Sequence, residues 1–402
     1  MTKKKHAAKL YAAAIVLAAA FALALALCTG MGLKALAAET ATGNGVTEAA
    51  ITKNLQMDKD VTTPTATFTF DVEKVSLDGI EKNEDCTEMP DILNQSLHFS
   101  SEDPATIDAT TIDATTRLKE VKKQTENIIP DISQFSHAGV YRYKVTERRA
   151  GYAEEEDTSM TYSKAEFTMD IYVKNKDDNS GGLEIGGVYV NYVKDDNGNE
   201  KTEKVDPTPG TDPNVSEWQF VNKFKKTNKL TISKTVAGTM GDKKKQFDFS
   251  LSLLEKYKYA LEAENASYSG TISRADESAA SDETTVTLKK GPTPATFTLA
   301  DGEVLTLTLP VGTTCCVAET ADGYTTTVKV ISNNAEKTDE TDPANASVLV
   351  GESTNSVTYT NTKNGNIPTG IVVDNLPFLI LILVALCGFA GYVALKRRKY
   401  RG

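Results

Sequence analysis

The segment TATFTFDVEKV, Thr65–Val75, sets an apolar side chain at every second position from Ala66 to Val72. That period suits a pleated strand with one buried face. The same short alternation, rich in Thr, Val, Tyr and Phe, returns in GVYRYKVTE, EFTMDIYVKN, VYVNYVKDD, KLTISKTV, FDFSLSL, VLTLTLP, TTTVKVI and SVTYTNT. Clusters of Gly, Asn, Asp and Pro separate these runs, so the pattern predicts an all-β protein built as sandwiches. Asp195–Glu200 (DDNGNE) reads as a hairpin turn, its carboxylate spacing being wrong for an EF-hand. The glycine-rich SGGLEIGG leads into a strand-like run and not a helix, which argues against a phosphate cradle. The duplication ATIDATTIDATT, Ala105–Thr116, reads as a polar loop insertion, and LKEVKKQTENI after it predicts a short helix.

Both ends carry signals of another kind. A basic start, MTKKKHAAKL, precedes an alanine- and leucine-rich run from Tyr11 to Leu27, and Ala35-Leu36-Ala37 offers small residues for cleavage after Ala37. This is the order of a secretory signal peptide. Cys28 does not make a lipoprotein site, because Leu27 before it is too large. At the other end Phe378–Leu395 is uncharged and about long enough to span a bilayer as a helix. Lys396, Arg397, Arg398, Lys399 and Arg401 follow and hold that end on the cytoplasmic side. The expected organisation is a signal peptide (1–37), a linker (38–44), one sandwich over 45–224, a second over 225–363 and a sorting segment over 364–402 with its membrane helix at 376–395.

Charge and cysteine content narrow the function classes. Removing residues 1–37 and 370–402 leaves 34 basic and 54 acidic residues, a net charge of −20. Such a surface disfavours nucleic acid and anionic lipid. Cys28 and Cys387 fall in the two end segments, leaving Cys86, Cys315 and Cys316, which is no disulfide framework. Neighbouring residues on a strand face opposite ways, so Cys315 and Cys316 pack singly. His6 goes with the leader. The remaining His98 and His137 lack metal-ligand spacing, so no metal or other cofactor is expected, and no nucleophile turn points to an enzyme.

What recurs is an internal repeat. The first half holds Lys53, Phe68 and Phe70 in FTF, Glu147 in GVYRYKVTERRAGY, and Asn222 closing EWQFVN. The second holds Lys234, Phe247 and Phe249 in FDF, Glu319 in VGTTCCVAETADGY, and Asn361 closing SVTYTN. Each Glu stands four residues before the Gly of a Glu-x-x-x-Gly-Tyr turn. The order Lys, Glu, Asn is kept twice, with Lys on a first strand and Asn on a last one.

With GVYRYKVTE, GDKKKQFDFSLSL, DGYTTT and the terminal YTNTKNGNIPTG, the chain from Lys53 onward resembles the backbone pilins of Gram-positive bacteria, of the streptococcal T-antigen type. The resemblance implies immunoglobulin-like domains in which a Lys and an Asn join in a self-made isopeptide bond assisted by a Glu. The implied triads are Lys53, Glu147, Asn222 and Lys234, Glu319, Asn361. It also implies that a sortase cuts after Thr369 in Ile367-Pro368-Thr369-Gly370 and links the subunits head to tail. Ile367 stands where the family usually has Leu or Val.

The chemistry is sound on its own terms. A free Lys amine, of pKa about 10.4, is neutral in only about one molecule in a few thousand at pH 7. Burial lowers a Lys pKa and raises that of a Glu, which could then carry protons to departing ammonia. Phe68, Phe70, Phe247 and Phe249 could supply the dry surround. The acceptor lysine for polymerisation is expected shortly before the last strand of the first domain, with Lys204 and Lys201 as candidates. An extra Pro/Gly/Asp-rich stretch, Asp206–Pro213, blurs that register.

The whole reads as a structural shaft subunit of a cell-surface pilus. Its partners would be sortase, identical subunits, an accessory or tip pilin and peptidoglycan, and the precursor would be held in the membrane by its C-terminal helix. The alternative is a wall-anchored monomeric adhesin, which the lack of a separate large binding domain disfavours.

Overall fold

The computed structural model describes residues 45–105, 118–177, 181–210, 215–253, 266–273, 284–290, 293–338, 341–365 and 376–399. The expected signal-peptide cleavage site at Ala37, most of the Ala105–Thr116 duplication and the motif Ile367, Pro368, Thr369 and Gly370 lie outside these residues.

The described chain folds as two tandem β-sandwiches. In the first, a seven-stranded sheet includes Ala66–Leu77, Gly139–Glu147, Glu166–Asn175 and Leu183–Lys194. It packs on Thr52–Asp58, Leu118–Gln124, Thr158–Thr161 and the first part of the 19-residue strand Gln219–Ala237. Aromatic rings fill the space between: Phe70 and Phe167 each lie 5.0 Å, centroid to centroid, from Phe220. The second sandwich sets a four-stranded sheet, with Phe247–Leu253 and Thr314–Thr320 at its centre, against the later part of Gln219–Ala237 and Asn355–Thr362. Phe249 and Tyr359 meet edge to face in its core at 5.2 Å. The alternation read from the sequence is what buries these residues, because successive side chains on a strand point to opposite faces.

The chain order creates one unusual pairing in each sandwich. Thr52–Asp58 runs parallel to the first part of Gln219–Ala237, and the later part of that strand runs parallel to Asn355–Thr362. First and last strands therefore lie side by side in both units. One continuous strand closes the first unit and opens the second.

Leu118–Gln124 corrects an expectation. It is a strand and not a helix, paired antiparallel to Thr52–Asp58 with Lys53 opposite Lys123. Its Lys and Glu residues favour a helix, yet the backbone groups of the buried Thr52–Asp58 strand need a partner on their outer side. Pairing overrides propensity. Cys315 and Cys316 behave as expected: both thiols are free, the first buried and the second partly exposed.

The helix Leu376–Lys399 runs through the apolar segment and on into the basic residues. Its stretch Phe378–Arg397 is long and apolar enough to cross a membrane, with a mean hydropathy of 2.7, and the folded chain covers none of it.

Gly151, in the turn after Glu147, has a φ of +101°. Its carbonyl accepts a hydrogen bond from Thr67 N–H, and a Cβ at this position would be driven into the Thr67 carbonyl oxygen. Only glycine fits. Gly151→Ala is expected to lower stability by about 1–3 kcal/mol, read as a fall in denaturant midpoint. An unchanged midpoint would show that the turn is not held this closely.

Candidate functional site

The two parallel pairings bring the repeated residues together with the same register. Lys53 stands opposite Phe220 and Lys234 opposite Tyr359, and in each case the Asn lies two positions further on the neighbouring strand. Residues two apart on a strand share a face. Glu147 is cross-strand from Phe70, and Glu319 is cross-strand from Phe249. The sandwich thus aims a Glu from one sheet at a Lys and an Asn on the other.

Side-chain geometry follows. Lys53 Nζ donates to Glu147 Oε2 at 2.7 Å, and Asn222 Nδ2 donates to Glu147 Oε1 at 2.7 Å. The carboxylate bridges amine and amide. In the second unit Lys234 Nζ stands 2.6 Å from Glu319 Oε1, and Asn361 Nδ2 donates to the same oxygen at 3.0 Å. This pairing is less complete, since the ammonium approaches off the hydrogen-bond direction and Glu319 Oε2 is left without a donor. The side chains of both lysines and both glutamates are fully buried. Lys53 Nζ lies 4.9 Å from the Phe68 ring centroid and Lys234 Nζ 4.3 Å from that of Phe247.

Burial dominates the electrostatics. It pushes the Lys53 amine down to about 8, against the opposing pull of Glu147, and it raises Glu147 above the usual carboxylate range. Lys234 is likewise lowered and Glu319 raised, desolvation being the main cause of each. These opposed shifts narrow the gap between the ion pair and the neutral pair of amine and carboxylic acid.

The far end of each amide is held too. Asn222 Oδ1 accepts from Ser163 N–H at 2.7 Å, and Asn361 Oδ1 accepts from Thr326 Oγ at 2.8 Å. Asp196 Oδ1 accepts from both Ser163 Oγ and Val221 N–H, at 2.7 and 2.8 Å. The sequence reading missed Ser163, Asp196 and Thr326. Thr326 lies seven residues after Glu319 and Ser163 sixteen after Glu147, so no shared spacing marks them. A cleft of about 370 Å³, lined by Glu147, Ser163, Lys164 and Lys194 among others, lies beside the first site, whose lysine and glutamate side chains stay buried.

Lys204 and Lys201 lie apart from these clusters. Lys204 is exposed on the short strand Lys204–Val205, its Nζ 4.2 Å from the Tyr189 ring centroid. Lys201 lies over Tyr192 and pairs with Glu203 at 2.7 Å. Among the described residues no group of His, Cys, Asp and Glu could hold a metal ion.

Each of the tandem sandwiches thus holds a buried lysine and asparagine on its paired first and last strands, bridged by a glutamate from the facing sheet. Residues 49–225 match the family described as the Spy0128-like isopeptide containing domain, and residues 228–363 match a domain of unknown function. A pilin of Streptococcus pyogenes serotype M1 is 26% identical over 388 residues, covering 91% of this chain and 97% of that protein. The pilus tip adhesin Cpa of S. pyogenes is 37% identical over 150 residues, covering 37% of this chain and 18% of the adhesin. The solved major pilin T3.2 from S. pyogenes is 24% identical, with a TM-score of 0.32, over 80% of this chain and all of that one. Residues 49–225 thus carry a Spy0128-like isopeptide containing domain, and the chain is similar along most of its length to a streptococcal pilin.

The buried carboxylates yield a pH test. Glu147→Gln would remove the group that holds Lys53 charged, so the folded pKa of Lys53 falls further below its unfolded value of about 10.4. Below the folded value both states bind the proton and the burial penalty is complete. Between the two values the unfolded state binds more protons, so stability rises with pH by up to about 1.4 kcal/mol per unit. Urea midpoints of this variant should climb from pH 8 to pH 10, and a flat profile would contradict the assignment of Lys53 as a buried free amine.

Proposed function

We propose that Lys53 and Asn222, and Lys234 and Asn361, condense to isopeptide bonds with Glu147 and Glu319 as proton carriers, in a shaft subunit that a sortase polymerises. The neutral Lys Nζ attacks Asn Cγ. The new C–N bond forms as the C–Nδ2 bond breaks, the Glu carboxyl relays the amine proton to Nδ2, and one ammonia leaves. The observation that carries this reading is the carboxylate bridge from amine to amide, built twice in one register. Each Glu acts once on its own chain, which fits a structural subunit and not a turnover enzyme.

The domains are taken as 45–224 and 225–363. The sorting reading rests on the sequence: Ile367-Pro368-Thr369-Gly370 precedes an apolar helix and a basic tail. The membrane helix parks the precursor, sortase cuts after Thr369, and the acyl group passes to a lysine of the next subunit or to peptidoglycan. Lys204 is the better acceptor. It is exposed, whereas the ion pair of Lys201 with Glu203 raises the Lys201 pKa and disfavours the nucleophilic amine. Protein extracted from the surface is expected to end at Thr369. On a denaturing gel it should form a ladder that Lys204→Ala abolishes while monomer export persists. A single monomer band from the wild type would favour the wall-anchored adhesin.

The mass of residues 38–369 tests the cross-links directly. It should fall short of the sequence value by two ammonia molecules with no enzyme added, and Glu147→Ala or Glu319→Ala should each restore one. A folded wild-type chain of full mass would overturn the proposed chemistry.

A further inference from the structure

Attack on an amide carbonyl pushes charge onto its oxygen, so a self-condensing site needs a donor at Asn Oδ1 as much as a proton carrier at Nδ2. The glutamates do not fill that role, because both meet the amide at its nitrogen. In the first site the amide cannot be turned the other way. A backbone N–H only donates, so the atom facing Ser163 N is the oxygen. In the second site Glu319, as a carboxylate, only accepts and so sets Nδ2 on its side, which leaves Oδ1 for the Thr326 hydroxyl.

Both donors come from the antiparallel neighbour of the Asn strand. Thr158–Thr161 pairs with the first part of Gln219–Ala237, and Ser163 lies two residues past its end. Thr325–Ser332 pairs with Asn355–Thr362 and sets Thr326 directly opposite Asn361. One unit thus uses a backbone N–H and the other a hydroxyl at the same station. The first is braced. Ser163 Oγ donates to Asp196 and accepts from Ala165 N–H, while Asp196 also takes the N–H of Val221, the residue before Asn222. Donor and amide are thereby tied to one carboxylate.

We propose that Ser163 N–H and Thr326 Oγ–H are the electrophile-activating donors of the two sites, holding the Asn carbonyl oxygen as negative charge develops on it during attack by lysine. Asp196 is the positioning residue of the first. Resting on the cross-linking reading above, this adds a second catalytic group to each triad. In the addition step Nζ bonds to Cγ and the carbonyl pair moves onto Oδ1, which the donor stabilises. In the collapse that pair returns, ammonia leaves, and the donor keeps its proton.

The test is a refolding time course. Chain 38–369, collected in denaturant directly after synthesis, is diluted into buffer, quenched at intervals, and each bond is followed by peptide mass. Thr326→Val keeps the side-chain shape and removes the donor. It is expected to slow the Lys234–Asn361 bond by about tenfold to a hundredfold, while Lys53–Asn222 forms at the wild-type rate. Thr326→Ser is expected to restore the rate. An α-hydroxy acid at position 163, which turns that amide into an ester and deletes only the N–H, should slow Lys53–Asn222 alone. Slowing of each bond by its own substitution supports the proposal. Wild-type rates in both altered chains, with the wild type losing two ammonia molecules, overturn it. If the wild type loses no ammonia, the cross-linking reading itself fails.

Discussion

A lysine amine sealed against a glutamate in a dry aromatic core is the contact on which the rest of this molecule depends. Left as an ion pair it costs several kcal/mol per desolvated charge, offset only where geometry is good and the remaining valences are filled. At Lys53 they are largely filled. At Lys234 the ammonium lies off the hydrogen-bond direction. Neutralising both groups removes the charge penalty and leaves a nucleophilic amine beside an amide. The feature that would destabilise an ordinary sandwich is therefore what gives this one its chemistry. It also explains the aromatic residues on every second position around Lys53 and Lys234, since water beside the amine would restore its ordinary pKa.

The parallel pairing of first and last strands would give the proposed bond its mechanical meaning. Asn222 and Lys234 share one strand, twelve residues or about 40 Å apart at the usual strand rise. Tension entering at Lys53 would cross to Asn222, run along this strand to Lys234 and leave through Asn361. With the proposed bonds in place, the sheets on either side would hang from that line and not transmit it. A disulfide could span such a register, but the cysteines are not there: Cys86, Cys315 and Cys316 are all free.

Much of this was legible in the sequence, and the limits have physical causes. The strands are, because a half-buried strand writes its period into the residues. So are the lysines, glutamates and asparagines, because duplication exposed an order that no single copy would have revealed. Leu118–Gln124 was misread because its composition favours a helix and only the unpaired flank of Thr52–Asp58 makes it a strand. Ser163 and Thr326 left no mark, since a backbone N–H has no residue type and a threonine among threonines has no contrast. Sequence reading finds the groups that must be a particular residue. Groups that need only stand in a particular place emerge from the fold.

Sequence separation adds a last constraint. Lys53 and Asn222 are 169 positions apart and Lys234 and Asn361 are 127 apart, so neither pair can meet until its sandwich has closed. The proposed bond would then be a consequence of native folding and not a step towards it, because the carboxylate bridge and the dry surround exist only in the closed core. On the chain-entropy account, closing loops of this size would contribute about 5 kcal/mol each. The larger effect is kinetic. An unfolding transition state that must separate first from last strand is closed to a chain covalently joined across them, and local opening elsewhere leaves the load-carrying line intact.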